Sequence, residues 1–273
     1  MLKEMLDNVR TKKPLIHNIT NYVTVNDVAN MVLACGASPI MADDEGEVEE
    51  ITSICTGLNI NIGTLNSRTI SSMKKAGKKA NDLSHPVLLD PVGVGASQLR
   101  TKTAFELIDD VRFDVIRGNI SEIKVLALRQ GQVHGVDANV EDAVTEENLD
   151  RCIDFVKSFA NDVHVIIAVT GAIDLVSDGK ICYVIRNGTK EMSAITGTGC
   201  QLSALTTAFI SANQDHKLEA VVAAVCAMGL AGEIARKYML QHEGNATYRN
   251  RIIDAIYHMN GDILEKGAKY EIR

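Results

Sequence analysis

Tryptophan is absent from this chain of 273 residues, aromatic residues make up only 4%, and there are four prolines. Positive charge is also scarce, because 28 lysines and arginines face 35 aspartates and glutamates and the net charge is -7. Lysine and arginine never occur in runs longer than two, so binding to nucleic acid is not expected. The six cysteines are widely spaced and form no Cys-x-x-Cys pair, which argues against a zinc site and a disulfide framework.

Long hydrophobic runs are missing as well. The longest apolar run near the C-terminus, residues 220–231, has 12 residues and is too short to cross a bilayer. The first ten residues mix charges of both signs and lack the apolar segment of a signal peptide. Hydrophobic residues at 46% and charged residues at 23% are ordinary for a soluble globular enzyme. We therefore expect a cytoplasmic protein with no membrane partner.

Short apolar runs alternate with amphipathic stretches along nearly the whole chain. The apolar runs predict strands at 38–41, 58–62, 87–90, 115–117 and 163–170, and a hairpin formed by 175–176 and 182–185. The amphipathic stretches predict helices at 25–34, 47–55, 68–82, 102–111, 121–128, 146–160, 199–210, 218–238 and 248–265. Such repeated strand–helix units predict an α/β fold, a three-layer α/β/α sandwich with a mostly parallel central sheet. No long linker interrupts the pattern, which favours a single domain spanning residues 1–273.

Polar residues and glycines cluster where the predicted strands end. In parallel sheets, ligands bind beyond the carboxyl ends of the strands. We therefore expect one site at this edge, with contributions from segments 41–44, 61–64, 90–95, 117–119 and 170–171.

The most informative segment is residues 194–200, where two glycines stand between a loop and an apolar helix. Glycine lets the backbone approach a ligand closely, and the first N–H groups of a helix form an anion site. Gly197, Thr198 and Gly199 are the candidate anion hole. Cys200 follows in the first turn, where the helix dipole is expected to lower its pKa. A buried structural cysteine is the alternative explanation.

Two acidic residues are candidates for holding Mg²⁺ and its waters. Asp90 ends a predicted strand, directly before Pro91 and two glycines, and Glu122 lies in the first turn of the helix after the next strand. Each has a structural alternative. Asp90 can be a turn or helix-capping aspartate, and Glu122 can close a capping box with the backbone near Asn119.

Arg117 and Asn26 are two further candidates. The guanidinium of Arg117, at the end of an apolar strand, suits phosphate oxygens, although an arginine extending from the edge of the core would look the same. Asn26 and Asn30 lie four residues apart on one helix face, an arrangement that suits hydrogen bonding to a small neutral ligand.

Common nucleotide motifs fit poorly. Residues 93–98 and 197–202 both begin like a dinucleotide fingerprint, but each lacks the third glycine. A P-loop sequence is absent, and the seven histidines show no metal-binding spacing.

Taken together and in order, segments 26–30, 41, 90–95, 117–122, 169–171 and 197–200 resemble the hydroxyethylthiazole kinase family, the thiamine-salvage member of the ribokinase-like kinases. The resemblance runs from about residue 14 to 210. It implies a ribokinase-like fold, ATP-dependent phosphorylation of the primary alcohol of 4-methyl-5-(2-hydroxyethyl)thiazole, a requirement for Mg²⁺, and a homotrimer with active sites at subunit boundaries.

The same resemblance implies roles for individual residues. Met41 and Gly197 match positions that bind the thiazole, and Asn26 lies in the segment near it. Arg117 and Thr170 match ATP-binding positions, and Asp90 and Glu122 match the acidic positions. Ribokinase-like sugar kinases usually have an aspartate base where this chain has Cys200, whereas cysteine is common there in thiazole kinases.

Other functions are compatible with parts of this pattern. A kinase for hydroxymethylpyrimidine or pyridoxal would share the anion hole. A hydrolase with Cys200 as nucleophile would need a nearby general base, and a metabolite-binding protein would need no chemistry at all.

Overall fold

The computed structural model describes residues 1–129 and 143–273, which form one mixed sheet between two layers of helices. The strands in the described residues are β1 (Leu15–Ile19), β2 (Ser38–Met41), β3 (Gly57–Asn61), β4 (Val87–Asp90), β5 (Val115–Gly118), β6 (Ile166–Val169), β7 (Asp174–Ser177), β8 (Cys182–Ile185) and β9 (Tyr270–Ile272). The helices are α1 (Leu2–Lys12), α2 (Val25–Cys35), α3 (Val48–Ile54), α4 (Ser67–Asp82), α5 (Gln98–Asp110), α6 (Ile120–Arg129), α7 (Leu149–Val163), α8 (Thr198–Ala212), α9 (Lys217–Lys237), α10 (Asn245–His258) and α11 (Gly261–Gly267).

The strands follow the order β2-β1-β3-β4-β5-β6-β7-β8-β9. From β2 to β6 every neighbouring pair is parallel, and β7, β8 and β9 then add antiparallel strands. The parallel part brings the carboxyl ends of six strands, β1 to β6, to one edge. The predicted α/β fold with a mostly parallel sheet is confirmed.

Each face of the sheet packs against its own core. Along β4, Leu88 belongs to one hydrophobic cluster, whereas Val87 and Leu89 belong to the other, as the alternation of side chains along a strand requires. Helices α1, α2 and α8–α11 cover the first face, and α3–α7 cover the second. This gives the three layers that the sequence predicts.

Helix α8 lies in the middle of the first layer and runs antiparallel to the neighbouring strands. Ser203, near its start, donates to Asp90 at the end of β4, whereas Ser211, near its end, lies against Gly57 at the start of β3. All residues from Cys200 to the end of the helix are buried. The packing therefore fixes the N-terminus of α8 at the carboxyl edge of the sheet.

Several predicted boundaries are wrong. The expected strand 163–170 is shortened to β6, because α7 continues to Val163 and ends with His164 in a left-handed conformation. The expected helix 248–265 is two helices, since Asn260 interrupts it and caps α11 by accepting from the Ile263 N–H at 2.9 Å. Helix α5 begins four residues earlier than expected, at a Ser97 cap. The sequence pattern also missed α1, β1 and β9.

The most apolar helical stretch is longer than the sequence run suggested. Residues 214–237 are long and apolar enough to cross a membrane by composition, but 78% of their most apolar window is buried inside the protein. The helix packs against α8 and α10, so its hydrophobicity is explained by the core.

Candidate functional site

The carboxyl edge of the parallel sheet carries a continuous set of polar side chains. Each comes from the end of a strand or from the segment just after it. They are Asn21 after β1, Asn61 on β3, Asp90 on β4, Arg117 on β5 and Thr170 after β6. The N-terminus of α8 lies against them.

A buried ion pair occupies the centre of this set. Asp90 is fully buried, and its Oδ2 atom lies 3.1 Å from Nη1 of Arg117, which is only 8% exposed. The same oxygen accepts hydrogen bonds from Asn61 Nδ2 and Ser203 Oγ, both at 2.8 Å. Burial raises the pKa of Asp90 above its usual range, and the positive charge of Arg117 opposes that rise. Asp90 therefore needs Arg117 in order to stay charged at this depth.

Arg117 also lines a cavity of about 590 Å³ beside the pair, together with Thr170 and Gly199. Its Nη2 atom donates to Thr170 Oγ1 at 2.9 Å. A Cβ atom on Gly199 would lie 2.5 Å from Nη2, so the absence of a side chain there lets the guanidinium pack against the start of α8.

The lining of the same cavity also includes the apolar side chains of Met192, Leu202, Val225 and Met228. Polar side chains complete it, among them that of Lys190. A cavity with cationic, N–H and hydrophobic groups suits a ligand that is anionic in one part and apolar in another.

Asp174 is a further carboxyl group on this cavity, which the sequence pattern missed. Its Oδ1 atom accepts from the N–H of Gly171 at 2.8 Å, which closes the turn after β6. Burial raises the pKa of Asp174 to about 7, and the Gly171 N–H opposes the rise. Near neutral pH the carboxyl is thus only partly charged, which limits its repulsion of an anionic ligand.

The start of α8 has the backbone geometry expected of an anion site. Gly197 has φ 86°, and a Cβ atom there would lie 2.3 Å from the methyl carbon of Thr24. A side chain is therefore excluded both by the conformation and by the space. The N–H groups of Thr198 and Gly199 belong to the first turn, where helical N–H groups have no partner inside the helix. The anion hole predicted at Gly197, Thr198 and Gly199 therefore lies at this turn, and its binding role stays a prediction.

Cys200 is buried, with 8% of its surface exposed, and its Sγ atom accepts from Asn21 Nδ2 at 3.1 Å. Burial raises the pKa of Cys200, and the negative charge of Asp90 raises it further. The expected lowering by the helix dipole is wrong, because the loss of hydration outweighs the dipole at this depth. The partner of the sulfur is an amide rather than a histidine, so a nucleophilic cysteine would have no base in contact with it.

Glu122 forms the capping box that the sequence left as an alternative. Its Oε2 atom accepts from the Asn119 N–H, and Asn119 Oδ1 accepts from the Glu122 N–H, both at 2.8 Å. The second oxygen, Oε1, accepts from the N–H of Gly93 at 2.8 Å. Glu122 therefore ties the loop after β4 to the start of α6. It is half-buried, so its carboxylate still reaches solvent.

Asn26 and Met41 lie on the other side of the Gly197 turn. Asn26 is exposed, and its carbonyl accepts from Asn30 Nδ2 at 2.8 Å, so the Asn30 amide is occupied by the helix itself. The residues of this segment that join the site are Asn21 and Thr24, which the sequence pattern missed. Met41 is half-buried at the end of β2. The roles of Asn26 and Met41 stay predictions.

We expect Arg117→Met to lower the free energy of unfolding by about 3–5 kcal/mol at neutral pH, because it leaves the Asp90 carboxylate buried without a cation. Without Arg117 the pKa of Asp90 rises further, so the carboxyl takes up a proton as the pH falls. The deficit relative to the unchanged protein should therefore be smaller at about pH 5 than at about pH 8. Urea unfolding at both pH values measures it.

Arg100→Met is the matched control. Its guanidinium donates to the carbonyl oxygens of Gly63 and Val92 and forms no ion pair with Asp90. Its effect on stability should not depend on pH in this range. If Arg117→Met lowered the free energy of unfolding by the same amount at both pH values, the assignment of a charged Asp90 would be contradicted.

Comparison with known proteins gives a consistent result. The model of the hydroxyethylthiazole kinase family matches residues 6–262. The hydroxyethylthiazole kinase of Clostridium acetobutylicum is 63% identical over 271 residues, which cover 99% of each chain. That of Clostridium beijerinckii is 49% identical over 265 residues, which cover 97% of this chain and 95% of the relative.

Solved structures agree. The hydroxyethylthiazole kinase protein from Pyrococcus horikoshii OT3 superposes with a TM-score of 0.88 at 35% identity, covering 100% of this chain and 98% of that one. A pyridoxal kinase from Staphylococcus aureus gives a TM-score of 0.60 at 18% identity over 96% of this chain and 98% of that one, which shows the shared ribokinase-like fold alone. On the family match, the full-length relatives and the structural similarity, this chain belongs to the hydroxyethylthiazole kinase family.

Proposed function

We propose that this protein transfers the γ-phosphoryl group of ATP to the primary hydroxyl of 4-methyl-5-(2-hydroxyethyl)thiazole, a step of thiamine salvage. One observation carries the proposal. At the glycine turn that starts α8, Gly199 packs against Arg117 of the 590 Å³ cavity, and the buried sulfur of Cys200 follows in the same turn. A phosphoryl group at this turn would have an anion site beneath it and a proton acceptor next to it.

The cavity supports placement of ATP. Its phosphates would lie beside Arg117, Thr170 and Gly199, where a guanidinium and helix N–H groups offer charge-assisted hydrogen bonds. The adenine base of ATP would lie among the methionine and aliphatic side chains that line the same cavity.

Phosphoryl transfer proceeds through a loose transition state, so it depends mainly on positioning and on neutralising charge. In our proposal the N–H groups at Gly197, Thr198 and Gly199 hold the oxygens of the group in transit, and Arg117 compensates its negative charge. The attacking hydroxyl becomes acidic only as its bond to phosphorus forms. The thiolate form of Cys200 can therefore take up this proton and become the thiol, because the proton is transferred late.

The residues fit Mg²⁺ held chiefly through water and phosphate oxygens. Within residues 1–129 and 143–273, no group of three His, Cys, Asp or Glu side chains could bind a metal directly. Glu122 is half-buried, and the Oδ1 atom of Asp90 is buried without a partner in the described part of the chain, so each retains acceptor capacity for an ion's water. When bound, the ion would neutralise charge on the nucleotide's phosphates.

On the acceptor side, we propose that Met41, Gly197 and Asn26 contact the thiazole.

The segment just before α2 and the first residue of this helix expose large apolar side chains, with Tyr22 at 78%, Val23 at 56% and Val25 at 38% exposure. Such exposed apolar side chains argue for a protein partner. A homotrimer with sites at subunit boundaries would cover them, and light scattering of the purified protein would test for three copies.

We also propose that the described residues form part of a single domain covering the whole chain, and that the protein works in the cytoplasm. All nine described strands lie in one sheet, which supports the first statement. The six cysteines are buried and form no disulfide in the described part of the chain, which suits a reducing compartment and supports the second.

The central experiment is an assay for ADP formation with Mg·ATP and each of three alcohols: the hydroxyethylthiazole, hydroxymethylpyrimidine and pyridoxal. We expect turnover that depends on the thiazole and on Mg²⁺, with a much higher kcat/KM for it than for the other two. Glu122→Gln should need more Mg²⁺ for half-maximal rate, because it keeps the shape but loses the charge. A preference for another alcohol would overturn the proposed substrate, and ADP release without any alcohol would overturn the kinase assignment.

Replacing Cys200 tests its role as the base. Cys200→Asp should keep activity, because a carboxylate accepts the same proton, whereas Cys200→Ala should lower kcat by roughly 10²- to 10⁴-fold or less and leave KM nearly unchanged. Steady-state rates and a melting curve for each variant decide the point. An active Cys200→Ala together with an inactive, unstable Cys200→Asp would show that the thiol is structural.

A further inference from the structure

We propose that Asn21 is a positioning residue for Cys200: its amide holds the sulfur as a hydrogen-bond acceptor, and so directs it and favours its thiolate form. The inference rests on the proposed function only in giving that thiolate a use. Its geometric basis is independent of the reaction.

The direction of the Asn21 amide is set by neighbours of fixed polarity. The N–H of Gly63 can only donate, and it donates to Asn61 Oδ1 at 2.9 Å. The Asp90 carboxylate lies at the other side of that amide and accepts from Asn61 Nδ2 at 2.8 Å. Asn61 is thereby oriented with its oxygen toward Asn21.

Asn21 must then present its NH₂ group to both of its neighbours. Nδ2 donates to Asn61 Oδ1 at 3.0 Å and to Cys200 Sγ at 3.1 Å. Its oxygen accepts from Thr24 Oγ1 at 3.1 Å. A flipped amide would place the side-chain oxygens of Asn21 and Asn61 against each other with no hydrogen between them. The group that faces the sulfur is therefore a donor.

This arrangement has a consequence for the proton on Cys200. A thiol sulfur is a weak acceptor, whereas a thiolate accepts strongly, so a donor fixed at 3.1 Å stabilises the thiolate more than the thiol. The charged groups that face Cys200 are Asp90 from β4, which disfavours the thiolate, and Arg117 from β5, which favours it. Burial also disfavours the thiolate, and the Asn21 amide offsets part of that cost.

The test is the pH dependence of Cys200 alkylation by iodoacetamide in the purified, nucleotide-free protein, followed by mass spectrometry of the peptide that contains Cys200. We expect Asn21→Ala to move the midpoint upward by about one pH unit, which is roughly a tenfold slower reaction below the midpoint. Asn21→Asp, which is nearly isosteric but places an oxygen and a negative charge against the sulfur, should move it at least as far.

Asn59→Ala is the matched control. Asn59 is a buried amide on β3, as Asn61 is, and it donates to Asn18 Oδ1 on β1 at 3.1 Å. This hydrogen bond joins the same two strands but does not involve the sulfur of Cys200. Asn59→Ala should lower thermal stability as Asn21→Ala does and leave the alkylation midpoint unchanged. An unchanged midpoint in both Asn21 variants, or an equal shift in Asn59→Ala, would overturn the proposal.

The kinase reaction supplies a second readout. If Asn21 acts through the sulfur, Asn21→Ala should lower kcat when Cys200 is present. The same substitution should not lower kcat further in the Cys200→Ala variant. An equal loss in both backgrounds would overturn this route of action. Failure of the thiazole assay would instead overturn the proposed function, and the alkylation result would still stand or fall by itself.

Discussion

The ion pair between Asp90 and Arg117 is the interaction on which the rest of the site depends. Asp90 ends β4 at full burial, and Arg117 comes from the neighbouring strand β5 at the same edge. Burying either charge alone would cost several kcal/mol of folding free energy, roughly the desolvation penalty of one ion. Each side chain is therefore held in place by the opposite charge and by hydrogen bonds. Asn61 and Ser203 bind the same carboxylate oxygen, which ties β3 and α8 to the pair.

From this pair, one line of hydrogen bonds leads to each half of the site. On one side, Arg117 reaches Thr170 and the cavity that we propose binds the nucleotide. On the other side, Asn61 leads through Asn21 to Cys200 and Thr24. The fold brings these residues together because they stand at the carboxyl ends of parallel strands, which share one edge.

The same topology explains how much could be predicted from the sequence. Apolar runs ending in polar residues or glycine located Asp90, Arg117 and the Gly197 turn, because those signals are local. Strand β1 escaped prediction since His17 and Asn18 interrupt its apolar pattern, and both are buried with hydrogen-bond partners from other elements, among them Thr52 on α3 and Asn59 on β3. Asn21 and Asn61 could not be distinguished from ordinary turn amides, because their roles depend on contacts with residues 29 to 179 positions away.

The pKa of Cys200 shows where a local rule fails. A helix N-terminus favours a thiolate, and the sequence shows the helix but not the depth of burial. In the folded protein the loss of hydration and the charge of Asp90 dominate, and the pKa rises. In our proposal, the thiolate of Cys200 takes up the hydroxyl proton late in phosphoryl transfer.

The most direct test of the central claim is a double-mutant cycle on stability, with Asp90→Asn, Arg117→Met and the two combined. Mutual dependence of the two charges predicts that the double variant loses much less free energy of unfolding than the sum of the two single losses, with a coupling of about 1–3 kcal/mol. Additive losses would mean that the two residues contribute independently, and would contradict the central role of the pair.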